Sequence, residues 1–304
     1  MPSSRWCTHR DDRAPEHVTR RGRAGEKGLL AFRLQEEKRA LDSHVPDSLL
    51  QPGPDETLDS IGTSGVRVLQ RRNGYRFTLD AVLLAHFAAS ESVGHGGTVL
   101  ELGAGSGVVS FLLVKQFGLG PVDAVELQPA VHARLVRAVA LNACESQVRP
   151  VLGDLCRIRE LVDGGAYAQV VSNPPFRLAD AGVRSPDDER AISKSEVACD
   201  AQAVILAARY ALAPGGTVSL VYPAARVAEV LGLLGQAKLH PRVLRFVHSR
   251  VDAPATRFLV QAVRDKDRGL SVRPPLVVHG SGPGGYSAEV AALMDAPLAE
   301  QQGD

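Results

Sequence analysis

The sequence predicts an α/β fold, a doubly wound and mostly parallel sheet of seven strands with an antiparallel hairpin at its C-terminal end. Three observations predict it. From about residue 97 short apolar runs alternate with longer helical ones, a glycine-rich turn follows the first run, and the last two runs are joined by a short link. Strands that alternate with helices pair in parallel through right-handed crossovers. Two strands joined by a few residues pair antiparallel instead.

The elements follow in order. GTVLELGAGSG (97–107) reads as a strand entering a glycine loop, and VVSFLLVKQFG (108–118) as the helix behind it. VDAVEL (122–127) is the second strand. PAVHARLVRAVALNA (129–143) is a helix that opens on proline, whose missing N–H is no loss in a first turn. VRPVLGD (148–154) and AQVVSN (168–173) are the third and fourth strands. KSEVACDAQAVILAARYALAPGG (194–216) is a long helix stopped by Pro-Gly-Gly. TVSLVY (217–222), PRVLRFVH (241–248) and ATRFLVQAV (255–263) complete the sheet.

Composition narrows the class. The 304 residues are 44% hydrophobic and 23% charged, with a formal net charge of +1, which is ordinary for a soluble globular protein. No apolar run reaches the roughly 20 residues that span a bilayer, and the N-terminus lacks the apolar core of a secretion signal. A cytoplasmic protein is the expectation. Cys7, Cys144, Cys156 and Cys199 lack the paired spacing of a zinc site or disulfide framework. They are expected to be buried thiols, and no metal is expected.

Residues 1–55 differ from the rest. They hold ten Lys or Arg, seven of them by Lys27, with few apolar residues and four Pro or Gly (Pro46, Pro52, Gly53, Pro54) closing the segment. Such a stretch buries too little to offset its ordering entropy. A disordered Arg-rich extension is expected over 1–55, with a mostly polar helix at 29–41 at most, and one folded domain over 56–304. An upstream misassigned start codon would also account for the extension.

In a doubly wound sheet the ligand lies beyond the carboxyl ends of the strands, where the strand order reverses. Glu101-Leu102-Gly103-Ala104-Gly105-Ser106-Gly107 occupies that place. Its G-x-G-x-G spacing is not the G-x-G-x-x-G that seats a dinucleotide pyrophosphate. An acid followed by this loop resembles the cofactor loop of S-adenosylmethionine-dependent methyltransferases. Glu126, 23 residues beyond Gly103 at the end of the second strand, is placed to accept hydrogen bonds from two ribose hydroxyls. Asp154, after the third strand, is placed to meet an adenine amino group.

The fourth strand ends in VVSNPPFRL (170–178). Adjacent prolines cannot extend a buried ladder, since neither donates a backbone hydrogen bond. The sequence suits methylation of an amine conjugated to a ring. Such an amine is a poor nucleophile until acceptors at both N–H bonds draw its lone pair out of the ring. The side-chain oxygen of Asn173 and the carbonyl of Pro174 are those acceptors. Pro175 stiffens the turn, and Phe176 offers a face worth about 1–3 kcal/mol to a stacked base. Attack on a sulfonium methyl then rests on positioning rather than on a strong general base. Adenine, cytosine and guanine amines all fit, and so does a glutamine amide.

Taken together, residues 65–295 resemble the class I N-P-P-[FY] methyltransferases, with a Rossmann-like sheet. They are most similar to the bacterial group that methylates the adenine amino group beside the anticodon of valine tRNA. QRRNGYRFTLDAVLLAHFA (70–88), ERAISKSEV (189–197) and PPLVVHGSGPGGYSAEVAALM (274–294) carry the rest of the likeness. The resemblance implies that S-adenosylmethionine is held by Glu101, Gly103, Gly105, Gly107, Glu126 and Asp154, with Thr78 and Asp80 closing the pocket. It implies that Asn173, Pro174, Pro175 and Phe176 form the catalytic loop. It also implies an RNA partner, tRNA; the oligomeric state stays open, with a monomer favoured.

Two rivals share the loop: enzymes for a ribosomal RNA guanine, and enzymes for a glutamine amide of a release factor. A nucleic-acid-binding module without catalysis is the rival of another class. From Arg242 to Arg273 eight Lys or Arg stand against three acids, which reads equally as an RNA footprint or a solvated basic face. The charged stretch from Arg177 to Arg190 is expected to flank the bound base.

Overall fold

The computed structural model describes residues 46, 50–74, 76–92, 96–174, 201–265, 267–280 and 285–295. The expectations for residues 1–45, for the stretch from Arg177 to Arg190 and for the first turns of the helix expected from Lys194 lie outside the described residues.

A two-stranded antiparallel hairpin comes first, β1 (Glu56–Ile61) and β2 (Val66–Arg71), in register from Glu56 opposite Arg71 to Ile61 opposite Val66. Helix α1 (Leu79–Ser90) follows. The doubly wound core then runs β3 (Val99–Leu102), α2 (Val108–Phe117), β4 (Val122–Glu126), α3 (Pro129–Leu141), β5 (Val148–Leu152) and β6 (Tyr167–Ser172). It continues through α4 (Ala201–Ala211), β7 (Leu212–Pro223), α5 (Val227–Gln236), β8 (Leu239–His248) and β9 (Ala255–Arg264). Two strands of two residues, β10 (Ser271–Val272) and β11 (Leu276–Val277), and helix α6 (Ala288–Asp295) complete the described chain.

The seven expected strands are β3 to β9. They form one sheet in the order β8-β9-β7-β6-β3-β4-β5, to which β10 and β11 add short parallel edges on β8. Pairing is parallel from β7 through β5 and antiparallel where β9 lies between β7 and β8. Strand order therefore reverses at β3, which has β4 on one side and β6 on the other.

Period-two alternation divides the core into two layers. Val99 of β3 packs with α1, α2 and α3, including Leu84, Phe111 and Leu135. Leu100 and Leu102 face the other layer, with Ile205 of α4 and Leu234 of α5. Glu101, alternate to these leucines, points to the α2 side.

Three local readings are corrected. No strand is expected before residue 97, whereas β1 and β2 pair there across a Gly62–Gly65 turn with positive φ at both glycines. The expected helix to residue 216 ends at Ala211, and Pro-Gly-Gly lies in an irregular start of β7. A Cβ on Gly216 would stand 2.9 Å from the carbonyl oxygen of Ala168, so that glycine permits a close approach to β6. Among the described cysteines Cys144 is buried as expected, but Cys156 is exposed on the turn after β5. No described helix is long and apolar enough to cross a membrane.

Candidate functional site

A cleft opens at the carboxyl ends of β3, β4, β5 and β6, where the strand order reverses. Its floor is the loop from Glu101 to Ser106, and its walls carry Glu126 and Gln128, Arg134 of α3, Asp154, and Asn173 and Pro174. The hairpin and the start of α1 close it with Leu69, Gln70, Arg71, Phe77 and Ala81. Asn173 and Pro174 thus line the same cleft as the glycine loop. Pro175 and Phe176 lie outside the described residues.

The loop is shaped by backbone hydrogen bonds. The N–H groups of Gly103 and Ala104 both donate to the carbonyl of Val125 at 2.9 Å, which turns the chain away from β3. Gly103 and Gly105 have φ of 75° and 55°, and a Cβ on either would meet nothing within 4 Å. Bare backbone therefore faces open cleft, a cradle that any larger residue would fill. Gly107 has a different reason and does not line the cleft. A Cβ there would stand 2.5 Å from Leu135 Cδ1 and 2.7 Å from Phe111 Cε2, so its bareness serves the packing of α2 on α3.

Each acid is oriented by the fold. Glu126 Oε2 accepts the N–H of Gly105 at 2.9 Å and Oε1 accepts that of Gln128 at 2.8 Å. Asp154 Oδ1 accepts the N–H of Cys156 at 2.8 Å and caps the turn Leu155–Glu160. Glu101 Oε2 accepts both the N–H of Ser110, at 3.0 Å, and the Ser110 hydroxyl. Burial pushes the Glu101 carboxyl up to about 8; the Ser110 hydrogen bonds lower it and the Glu126 charge raises it.

A carboxylate oxygen can accept more than one hydrogen bond. Glu126 and Asp154 can therefore hold ligand hydroxyl or amino groups while their backbone partners fix them. Acids, bare loop backbone and apolar walls suit a nucleoside that carries a positive charge, which is the chemistry of S-adenosylmethionine.

Thr78 and Asp80 are not in the cleft wall. Thr78 is the exposed residue that begins α1, and Asp80 accepts Arg257 Nε of β9 at 3.0 Å. Their neighbours Phe77 and Ala81 line the cleft instead.

Residues 79–246 match the family model of the methyltransferase small domain. The chain belongs to that family. It is an S-adenosylmethionine-dependent methyltransferase. A relative from Porphyromonas gingivalis, named tRNA1(Val) (adenine(37)-N6)-methyltransferase, is 25% identical over 72% of this chain and 87% of its own. One of the same name from Aeromonas hydrophila is 29% identical over 68% and 84%. Among solved structures, a predicted O-methyltransferase from Agrobacterium tumefaciens matches with a TM-score of 0.57 at 21% identity. That match covers 73% of this chain and 99% of the other, and shows the shared fold.

The basic stretch of this methyltransferase is largely engaged within the fold. Arg242 and Arg273 both bind Glu91, Arg245 binds Glu289, Arg257 binds Asp80 and Arg264 binds Asp265. Lys266 lies outside the described residues. This segment therefore reads as a partnered face more than as a row of free cations.

Sequence reasoning missed Gln70, Gln128 and Arg134 in the cleft. Arg134 carried a signal, lying about one and a half turns into a helix that begins three residues after Glu126. Gln70 begins the stretch 70–88 that carries part of the family resemblance, but its own role was hidden because its partners are fixed only when the hairpin forms.

Proposed function

We propose that this methyltransferase transfers a methyl group to the exocyclic amino group of an adenine in tRNA. The observation that carries the reading is the shared cleft: Asn173 and Pro174 line it together with Gly103, Gly105, Glu126 and Asp154. The names of the Porphyromonas and Aeromonas relatives support RNA adenine as the target.

Bound S-adenosylmethionine supplies an electrophilic methyl on a sulfonium. In this reading Glu126 receives the ribose hydroxyls with the lone pairs left by Gly105 and Gln128. Asp154 receives the adenine amino group of the cofactor, and Gly103 and Gly105 let its chain approach the backbone. The Asn173 side-chain oxygen and the Pro174 carbonyl accept the two N–H bonds of the target amine and turn its lone pair towards the methyl. Proline's fixed φ, with ψ narrowed because a second proline follows in the sequence, limits where that carbonyl can point before the substrate arrives. Pro175 and Phe176 lie outside the described residues, and their part in the reading is the one expected from the sequence alone.

Nucleoside mass spectrometry of tRNA and rRNA from a strain lacking the gene tests the reading. Loss of a methyladenine from tRNA is expected. Loss of a methylguanine from rRNA, with tRNA unchanged, would replace it with the ribosomal alternative.

A further inference from the structure

The connection between β2 and α1 is held by side chains of the hairpin, and Gln70 is the centre of that attachment. Gln70 is 2% exposed, lies in the cleft wall and uses both ends of its amide. Its Nε2 donates to Asp59 Oδ2 at 2.7 Å, and its Oε1 accepts the backbone N–H of Phe77 at 2.7 Å. Asp59 is held in turn by the Thr57 hydroxyl at 2.9 Å and by Arg76 at 2.6 Å, while Arg76 also reaches Thr57 at 2.9 Å. Thr57 and Asp59 share a face of β1, and Thr57 stands in register opposite Gln70. Burial raises the Asp59 carboxyl, but the hydrogen bonds from Gln70, Thr57 and Arg76 outweigh it and hold the group below its ordinary value.

The consequence falls on Phe77. Thr78, which begins α1, makes no side-chain capping bond, so the helix start gains no fixation there. The chain at 76–77 is instead tied to the hairpin, and the hairpin is tied to α3. There Asn142 brackets Arg67, accepting its N–H at 2.9 Å and donating to its carbonyl at 2.6 Å. Phe77 packs on the core and faces the cleft on the same segment that carries Asp80 to Arg257 of β9. Its ring therefore stands at a depth in the cleft wall that the Gln70 amide sets.

We propose that Gln70 is a positioning residue for the methyl transfer, acting through Phe77 to fix the wall against which the cofactor is held. The inference rests on the reading that the cleft binds S-adenosylmethionine. An amide satisfies both partners at any pH, because its N–H donates to Asp59 while its oxygen accepts the Phe77 N–H.

The test is calorimetric titration of the full chain with S-adenosylhomocysteine, using Gln70→Ala, Phe77→Ala, the double variant and Gln70→Glu. Gln70→Ala should weaken binding by about tenfold or more, since it loses one hydrogen bond to a carboxylate and one to a backbone N–H. The double variant should lose no more than Phe77→Ala alone, since without the ring there is nothing to position. Additive losses, or no loss in Gln70→Ala, would overturn the proposal.

Gln70→Glu covers the case in which Gln70→Ala does not fold. Its carboxyl can donate to Asp59 only while protonated, and two adjacent carboxylates repel. Its affinity relative to wild type should fall about tenfold or more between pH 5 and pH 8, which a residue that merely fills space would not show. A flat ratio overturns the assignment. Absence of binding in wild type would instead strike the proposed function itself.

Discussion

The backbone N–H of Gly105 donates to Oε2 of Glu126 at 2.9 Å, so the tip of β4 and the glycine loop move as one unit. Glu126 also holds Gln128 and is 6% exposed. Glu126→Ala removes two charge-assisted hydrogen bonds and, on the proposed function, the ribose acceptor with them. The expected loss in S-adenosylhomocysteine affinity is about 2–4 kcal/mol, or roughly 30- to 1000-fold by calorimetry. A change under about threefold would show that the carboxylate does not hold the ligand.

Glu101 makes stability depend on pH. Its carboxyl is raised from 4.5 to about 8 in the fold, so the folded state keeps a proton that the unfolded chain gives up across that window. The group's stabilising contribution is therefore complete below pH 4.5 and is lost as pH rises towards 8. Denaturant midpoints of wild type and Glu101→Gln at several pH values should converge in acid and separate above neutrality, with the glutamine variant the more stable at pH 8.

Gly107 and Gly103 share a left-handed backbone but differ in surroundings. Gly107→Ala adds overpacking against Leu135 and Phe111 to the backbone strain, for about 2–4 kcal/mol of stability in a denaturant melt. Gly103→Ala carries only the strain, about 1–2 kcal/mol, and its methyl projects into the cleft. Its larger effect should appear in cofactor affinity.

Asn142 joins the hairpin to α3 through three hydrogen bonds of its side chain, two to Arg67 and one to the Ala138 carbonyl. At 3% exposure none is readily replaced by water. Asn142→Ala should cost about 2–4 kcal/mol and weaken cofactor binding as well, because the hairpin closes the cleft. Hydrogen exchange should then show β2 opening ahead of the sheet.

The parts of the site carried by β3 to β6 were legible because each strand is a short apolar run whose end is marked by a loop residue. Glu101, Glu126, Asp154 and Asn173 could be placed by counting strands alone. The hairpin was not legible. Leu58 is 36% exposed, and the buried apolar residues of the pair are confined to Ile61, Val66, Val68 and Leu69, too short a pattern to read as two strands. What the hairpin contributes was hidden for the same reason, since Gln70 has its role only once Asp59 and Phe77 are beside it. The partner of Asp80 was equally hidden, since Arg257 lies 177 residues away in sequence.

The arrangement of Asn173 and Pro174 beside the glycine loop is the centre of the account. It is tested most directly by single-turnover methylation of tRNA by Asn173→Ala with labelled S-adenosylmethionine, run beside S-adenosylhomocysteine titration of the same variant. The account predicts a rate lower by at least about 100-fold, the scale of one lost transition-state acceptor, with cofactor affinity within about threefold of wild type. Methyl transfer at the wild-type rate would contradict it.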